Sequence, residues 1–215
     1  MLFRSRTLRG RAGSSATLRQ GAPEGQKGRR LIIGRQRRSR GSLQMDRGSK
    51  DWKLKLLVSA CLAGCCCRYN GKAYGNEPLR SLARQGLIEV ACPETLGGLP
   101  VPRPRAEIVG GTGDDVLLGR ACVLNEYGKD VTDIFLRGAF YVLEIVQREG
   151  IKHAILKDKS PSCGVYCVYD GSFKGRLRKG RGVTSALLYR NGVTLFSEDE
   201  VWGKHFLELL SIDDR

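Results

Sequence analysis

No run of about 18 apolar residues occurs anywhere in the chain, so no segment reads as a membrane-spanning helix. A secretory leader is missing as well: the apolar stretch 31–34 (LIIG) is far too short for a signal core, and arginine flanks it on both sides. Histidine is scarce, with only His153 and His205 in 215 residues, and the two stand apart without ligand spacing. Neither paired Cys-x-x-Cys nor His-x-x-x-His knuckles are present, which argues mildly against a structural zinc site. Cysteine, by contrast, is plentiful. Eight cysteines without a leader lean away from a secreted disulfide scaffold, and in a reducing cytoplasmic setting they read as metal-binding or catalytic.

Charge is unevenly placed. Residues 1–50 carry fourteen Lys or Arg against Glu24 and Asp46, leaving 23 bases and 20 acids for the rest of the chain. The high isoelectric point therefore belongs to the N-terminal extension, and the remainder is close to neutral. Nucleic-acid binding by the folded part is accordingly not expected. The extension is rich in Arg, Gly and Ser and has too little apolar surface to offset the entropy of ordering, so we expect it to be disordered. A basic arm, a transit-like peptide and an untranslated stretch all fit. The favoured reading is that the domain starts at Met45, just before the first credible strand. The division expected is a basic extension over 1–50 and a folded domain over 51–215.

From about residue 53 the pattern changes. Residues 55–60 (KLLVSA) predict a buried strand that runs into a Cys- and Gly-rich loop at 61–76. A helix is predicted over 78–85, ended by Gly86, and a second strand over 87–92 (LIEVAC), broken by Pro93. The Pro- and Gly-rich stretch 97–105 must be a loop. An apolar stripe of Ile134, Phe135, Ala139, Val142, Leu143 and Val146 predicts a helix over 131–148, with Asp130 or Thr132 as cap and Gly150 as terminator. Further strands are expected at 152–156 and 193–196, with helices at 182–189 and 199–210. Strands alternating with helices predict an α/β fold, Rossmann-like, with a mostly parallel sheet flanked by helices.

Cys61, Cys92 and Cys163 each follow a predicted strand. In a parallel sheet the strand C-termini share one edge, where ligands bind, so three cysteines distant in sequence can converge there. A thiolate triad suits either a zinc site or a four-iron cluster bound through three irons, and ligand softness does not separate the two. Cys92-Pro93 and Cys163-Gly164 each place a cysteine before a sharp backbone constraint, and Cys-Pro recurs beside iron–sulfur ligands. The other cysteines have plainer readings: Cys122 as a buried hydrophobe, Cys167 as strand packing, and Cys65 and Cys66 as loop residues. The basic segment 173–181 holds five Lys or Arg and can contact phosphate, although such loops are commonly just solvated. Tyr69 and Tyr74 can stack a pyrimidine or merely pack a turn.

The motifs VSACLAG at 58–64, CRYNG at 67–71, ACPETLGGLPVPRPRAEI at 91–108, KDKSPSCG at 157–164, YDGSFKG at 169–175 and GRGVTSALL at 180–188 occur in that order. Together they resemble the bacterial domain-of-unknown-function family that includes the thiouracil desulfidases, over about residues 54–198. The resemblance implies a 4Fe–4S cluster held by Cys61, Cys92 and Cys163, with the fourth iron taking the sulfur of a thiocarbonyl. It implies Glu94 as the acid of the CPE motif and Ser160 as a substrate or water contact. Cys67 also falls in a family motif and is the reserve ligand, and the extra pair Cys65–Cys66 departs from the pattern in that loop. The implied function is a non-redox desulfidase acting on a thiolated nucleobase or related thioamide. Two other functions are weighed against it: sulfur transfer in tRNA thiolation, and a zinc or redox-sensing module without catalysis.

Overall fold

The structure, a computed structural model, describes residues 54–201. The basic extension, the expected start at Met45 and His205 lie outside the described residues.

Four short strands make a parallel sheet: β1 (Leu56–Ser59), β2 (Glu89–Ala91), β5 (His153–Leu156) and β8 (Thr194–Ser197), in the order β2-β1-β5-β8. Alternation along the strands divides the core between two faces. Leu57, Ala154 and Leu156 face α4 (Thr132–Glu149) and α5 (Val183–Arg190), while Leu56, Val58 and Ile155 meet Leu79 and Leu82 of α1 (Glu77–Arg84). All four expected strands are found within a residue or two of their expected ends. The chain runs from β1 out to β2 on one side and later returns to place β5 on the other side of β1. The crevice between the C-terminal ends of β1 and β5 is therefore the topological switch point, the usual ligand position in such sheets.

Helix ends follow the local chemistry. Asn76 caps α1 by accepting from the Leu79 amide at 3.2 Å, and Asp130 accepts from the Thr132 amide at 2.8 Å where α4 begins. Gly150 ends α4 in the left-handed conformation at φ 63°. Only residues 199–201 of the expected terminal helix are described, and they form a turn.

Six further elements complete the described fold. β3 (Ala106–Val109) pairs antiparallel with β4 (Cys122–Asn125), with the short helix α3 (Gly113–Leu117) between them. β6 (Cys167–Tyr169) pairs antiparallel with β7 (Leu177–Lys179), and α2 (Pro93–Leu96) is a single turn. The buried Glu107 of β3 ties the two pairs together, since its Oε2 accepts from the amides of Gly171 and Phe173, each at 3.0 Å. Cys122 is half-buried on β4 rather than fully buried as expected, because β4 is one half of a two-stranded pair at the edge of the core.

Candidate active site

Three segments leave the C-terminal edge of the sheet and meet at one cleft of about 310 Å³. The first follows β1. There the carbonyl of Cys61 accepts from the amides of Gly64, Tyr74 and Gly75, which pins Cys61 at the base of the loop. The second is Cys92, the residue before α2, where Pro93 sets the first helical position. The third is the turn after β5. Ser160 Oγ accepts from the amides of Ser162 (3.2 Å) and Cys163 (3.1 Å), and Ser185 Oγ donates to the Cys163 carbonyl at 2.6 Å. A hydroxyl pair between Ser162 and Thr184, 2.8 Å apart, fastens this turn to α5.

Cys61, Cys67, Cys92 and Cys163 all line the cleft, with Cys61 and Cys163 buried and the other two partly exposed. Cys67 lies between Cys61 and Cys92 in thiol contact with both. Its hydrogen bond to Cys61 pushes it up to about 12, helped by burial and opposed by Cys92. The Cys92 thiol is raised too, by its bond to Cys67 and then by burial. Burial raises Cys163 most, and the Ser59 hydroxyl pulls the other way. Thiols held neutral in this way release protons when a soft metal group takes them as ligands.

The donor set is sulfur-rich, and among the described residues no histidine borders the cleft. Among the described residues no three His, Cys, Asp or Glu side chains close on one point as a mononuclear ion requires. The thiols instead edge an open space, and a set of thiolates around a space suits a polynuclear iron–sulfur group.

Glu94, two residues past Cys92, also lines the cleft and meets Arg103. Arg103 donates from Nε to Oε2 at 2.9 Å, and its Nη2 forms an ion pair with the same oxygen at 2.8 Å. Oε1 takes no bond from the described residues. Since no fully buried side-chain oxygen or nitrogen among them lacks a partner, Oε1 is not fully buried. Ser160 lines the cleft as well, so the motif residues Cys61, Cys92, Cys163, Glu94 and Ser160 are brought together, with Cys67 among them.

Other residues separate from this group. Tyr69 borders the cleft, but Tyr74 does not: it carries Lys157 Nζ over its ring, 4.7 Å from the centroid. Lys157 is also paired with Glu198, the residue after β8. Cys167 does more than pack, since its thiol donates to Asp158 Oδ2 at 3.3 Å. His153 is at the opposite end of β5, beside the Phe196 ring. In the basic segment, Gly175 borders the cleft while Leu177–Lys179 form the exposed β7.

Three participants were not singled out from the sequence: Arg103, Ser59 and Lys157. Arg103 is one of two arginines in PRPR, and nothing local distinguishes the buried one from the exposed Arg105. Ser59 accepts from the Lys157 amide at 3.1 Å and so joins the ends of β1 and β5, a contact across 98 residues of chain.

The sequence model for 2-thiouracil desulfurase matches residues 56–200, a span that holds all four cleft cysteines, Glu94 and Ser160. The chain belongs to the 2-thiouracil desulfurase family. It is also 44% identical over 146 residues to the uncharacterised protein YbbK of Bacillus subtilis (strain 168), covering 68% of this chain and 97% of YbbK. A solved structure described as the 4Fe-4S-dependent thiouracil desulfidase TudS is similar at a TM-score of 0.64 and 41% identity. The match covers 74% of this chain and 99% of that one. The desulfurase family thus accounts for the sheet and for the loops at its C-terminal edge, which the matched residues contain.

Proposed function

We propose that the cleft holds a 4Fe–4S cluster through Cys61, Cys92 and Cys163 and replaces the sulfur of a thiolated pyrimidine or related thioamide with oxygen. The observation that carries this reading is the meeting of three strand-end cysteines with the Glu94 carboxylate in a single cleft. The 4Fe-4S dependence and thiouracil substrate of the similar solved protein support it. When bound, the cluster supplies an open iron, a soft Lewis acid suited to the sulfur of C=S.

The chain's own residues supply the rest. Oε1 of Glu94 accepts a proton from a water as that water adds to the thiocarbonyl carbon. The C–O bond forms, the C–S bond breaks, and sulfur leaves as hydrosulfide. C=S and water thus become C=O, hydrosulfide and a proton, with no electron gained or lost. Ser160 Oγ already accepts two amide hydrogens, so its own hydrogen is the group left to donate to substrate or water. Tyr69 offers a ring at the cleft wall against which a pyrimidine stacks. A cleft of this size takes a small molecule rather than a folded nucleic acid.

The test is anaerobic turnover of 2-thiouracil in ¹⁸O-water, alongside thiolated tRNA. Expected are one hydrosulfide per uracil, ¹⁸O in the uracil, no reductant consumed, and loss of most turnover in Glu94→Gln with the cluster absorbance kept. Turnover that needs an electron donor, or sulfur delivered only to tRNA, contradicts the reading. A fully active Glu94→Gln removes Glu94 from the reaction.

A further inference from the structure

We infer that Arg103 is a positioning residue for the desulfidation, clamping Glu94 by one oxygen so that the other faces the reacting carbon. This rests on the desulfidase reading of the cleft and adds a residue to it.

The pair is out of the ordinary run of surface ion pairs. The Arg103 side chain is 3% exposed and that of Glu94 16%, whereas Arg84 with Glu77 stands at 65% and 66%. Ion pairs of the exposed kind contribute little. A buried pair is no better as a stabiliser, because apolar replacements of similar volume are often equally stable. Stability alone therefore does not explain a buried arginine at this place, and its geometry gives a better account.

Arg103 is itself fixed at two further points. Nη1 donates to the Pro100 carbonyl at 3.3 Å, and the Arg103 amide donates to the Tyr69 carbonyl at 2.8 Å. The guanidinium is thus tied to the Pro-rich loop and, through the backbone, to the loop that carries Cys67. Nε and Nη2 belong to one planar fork. With Nε bonded to Oε2 and Nη2 paired to the same oxygen at 2.8 Å, the carboxylate has little freedom to turn about its last torsion. Glu94 comes from α2, a single turn with no side-chain cap, so its own helix does little to hold it. An unclamped glutamate has three rotatable torsions, and a base that wanders by an ångström loses on the order of 100-fold in rate.

The experiment is a double-mutant cycle on the anaerobically prepared holoenzyme, with 2-thiouracil as substrate. Arg103→Gln is expected to lower kcat by on the order of 100-fold, to leave KM within about twofold, and to keep the visible absorbance and iron content. Added to Glu94→Gln it is expected to cost nothing further, because no base remains to be positioned. Arg103→Lys, which keeps the charge but loses the fork, is expected to recover only part of the rate. Equal losses from Arg103→Gln in both backgrounds, or wild-type kcat in Arg103→Gln, overturn the positioning role while leaving the desulfidase reading intact. If Arg103→Gln fails to fold or to hold the cluster, the cycle is read with Arg103→Lys by the same criteria. Full activity in Glu94→Gln alone sinks the Glu94 mechanism instead.

Discussion

Gly138, midway along α4, lies against the carbonyl oxygen of Pro93: a Cβ placed on Gly138 would stand 1.9 Å from that oxygen. The contact is reciprocal, since a Cβ on Gly97 would stand 2.2 Å from the carbonyl of Ile134. Helix α4 therefore touches α2 backbone to backbone, at the residue between Cys92 and Glu94. The longest helix of the described chain acts as the template for the CPE turn.

Gly138→Ala tests that template. Alanine in a helix interior is ordinarily favoured over glycine by about 1 kcal/mol. Here the added methyl meets backbone that cannot rotate aside, and overpacking costs about 1–3 kcal/mol. The expected result in urea unfolding is net destabilisation, together with lower iron content per chain. A stabilised variant with full iron would show that α2 does not depend on this contact.

The four cleft thiols are expected to behave unequally. Cys61→Ser, Cys92→Ser and Cys163→Ser should each abolish the brown colour, because a hydroxyl is a hard and poor replacement for thiolate toward iron. Cys67→Ser should retain it. Absorbance and iron analysis of the four anaerobic variants check this. The reverse pattern, with Cys61→Ser coloured and Cys67→Ser colourless, assigns the first ligand to Cys67.

Asp158 should confer a pH-dependent share of stability. Burial acts to raise its carboxyl, but the amides of Tyr166 and Val165 and the Cys167 thiol and amide outweigh it and hold the group below the usual range. A depressed folded pKa gives stability that is complete above the unfolded value of about 3.9 and disappears as pH falls through the folded one. Asp158→Asn is expected to cost about 2 kcal/mol at neutral pH, with the gap from wild type closing below about pH 4. A gap that stays constant to pH 2 excludes the carboxylate as its source.

How far the sequence foretold the molecule follows from the range of each signal. The four sheet strands were legible because they are short apolar runs bounded by turn residues, as in Leu56–Ser59, and parallel order followed from alternation with helices. The β3–β4 pair was not legible, because α3 intervenes and no tight-turn pair of residues announces a hairpin. Convergence of Cys61, Cys92 and Cys163 was legible from one rule, that ligands gather at strand C-termini. Arg103 was invisible because its burial depends on Glu94 of α2 and Tyr69 of the loop after β1 meeting its own Pro-rich loop at Pro100. Ser160 lines the cleft to which its motif pointed, whereas its bond to the Cys163 amide required coordinates.

The central claim is that this cleft carries a cluster, and iron with acid-labile sulfide measured on protein purified without oxygen tests it most directly. The account predicts about four of each per chain, with a broad visible absorbance that the Cys163→Ser variant lacks. A colourless protein with one tightly bound zinc and no labile sulfide would contradict it.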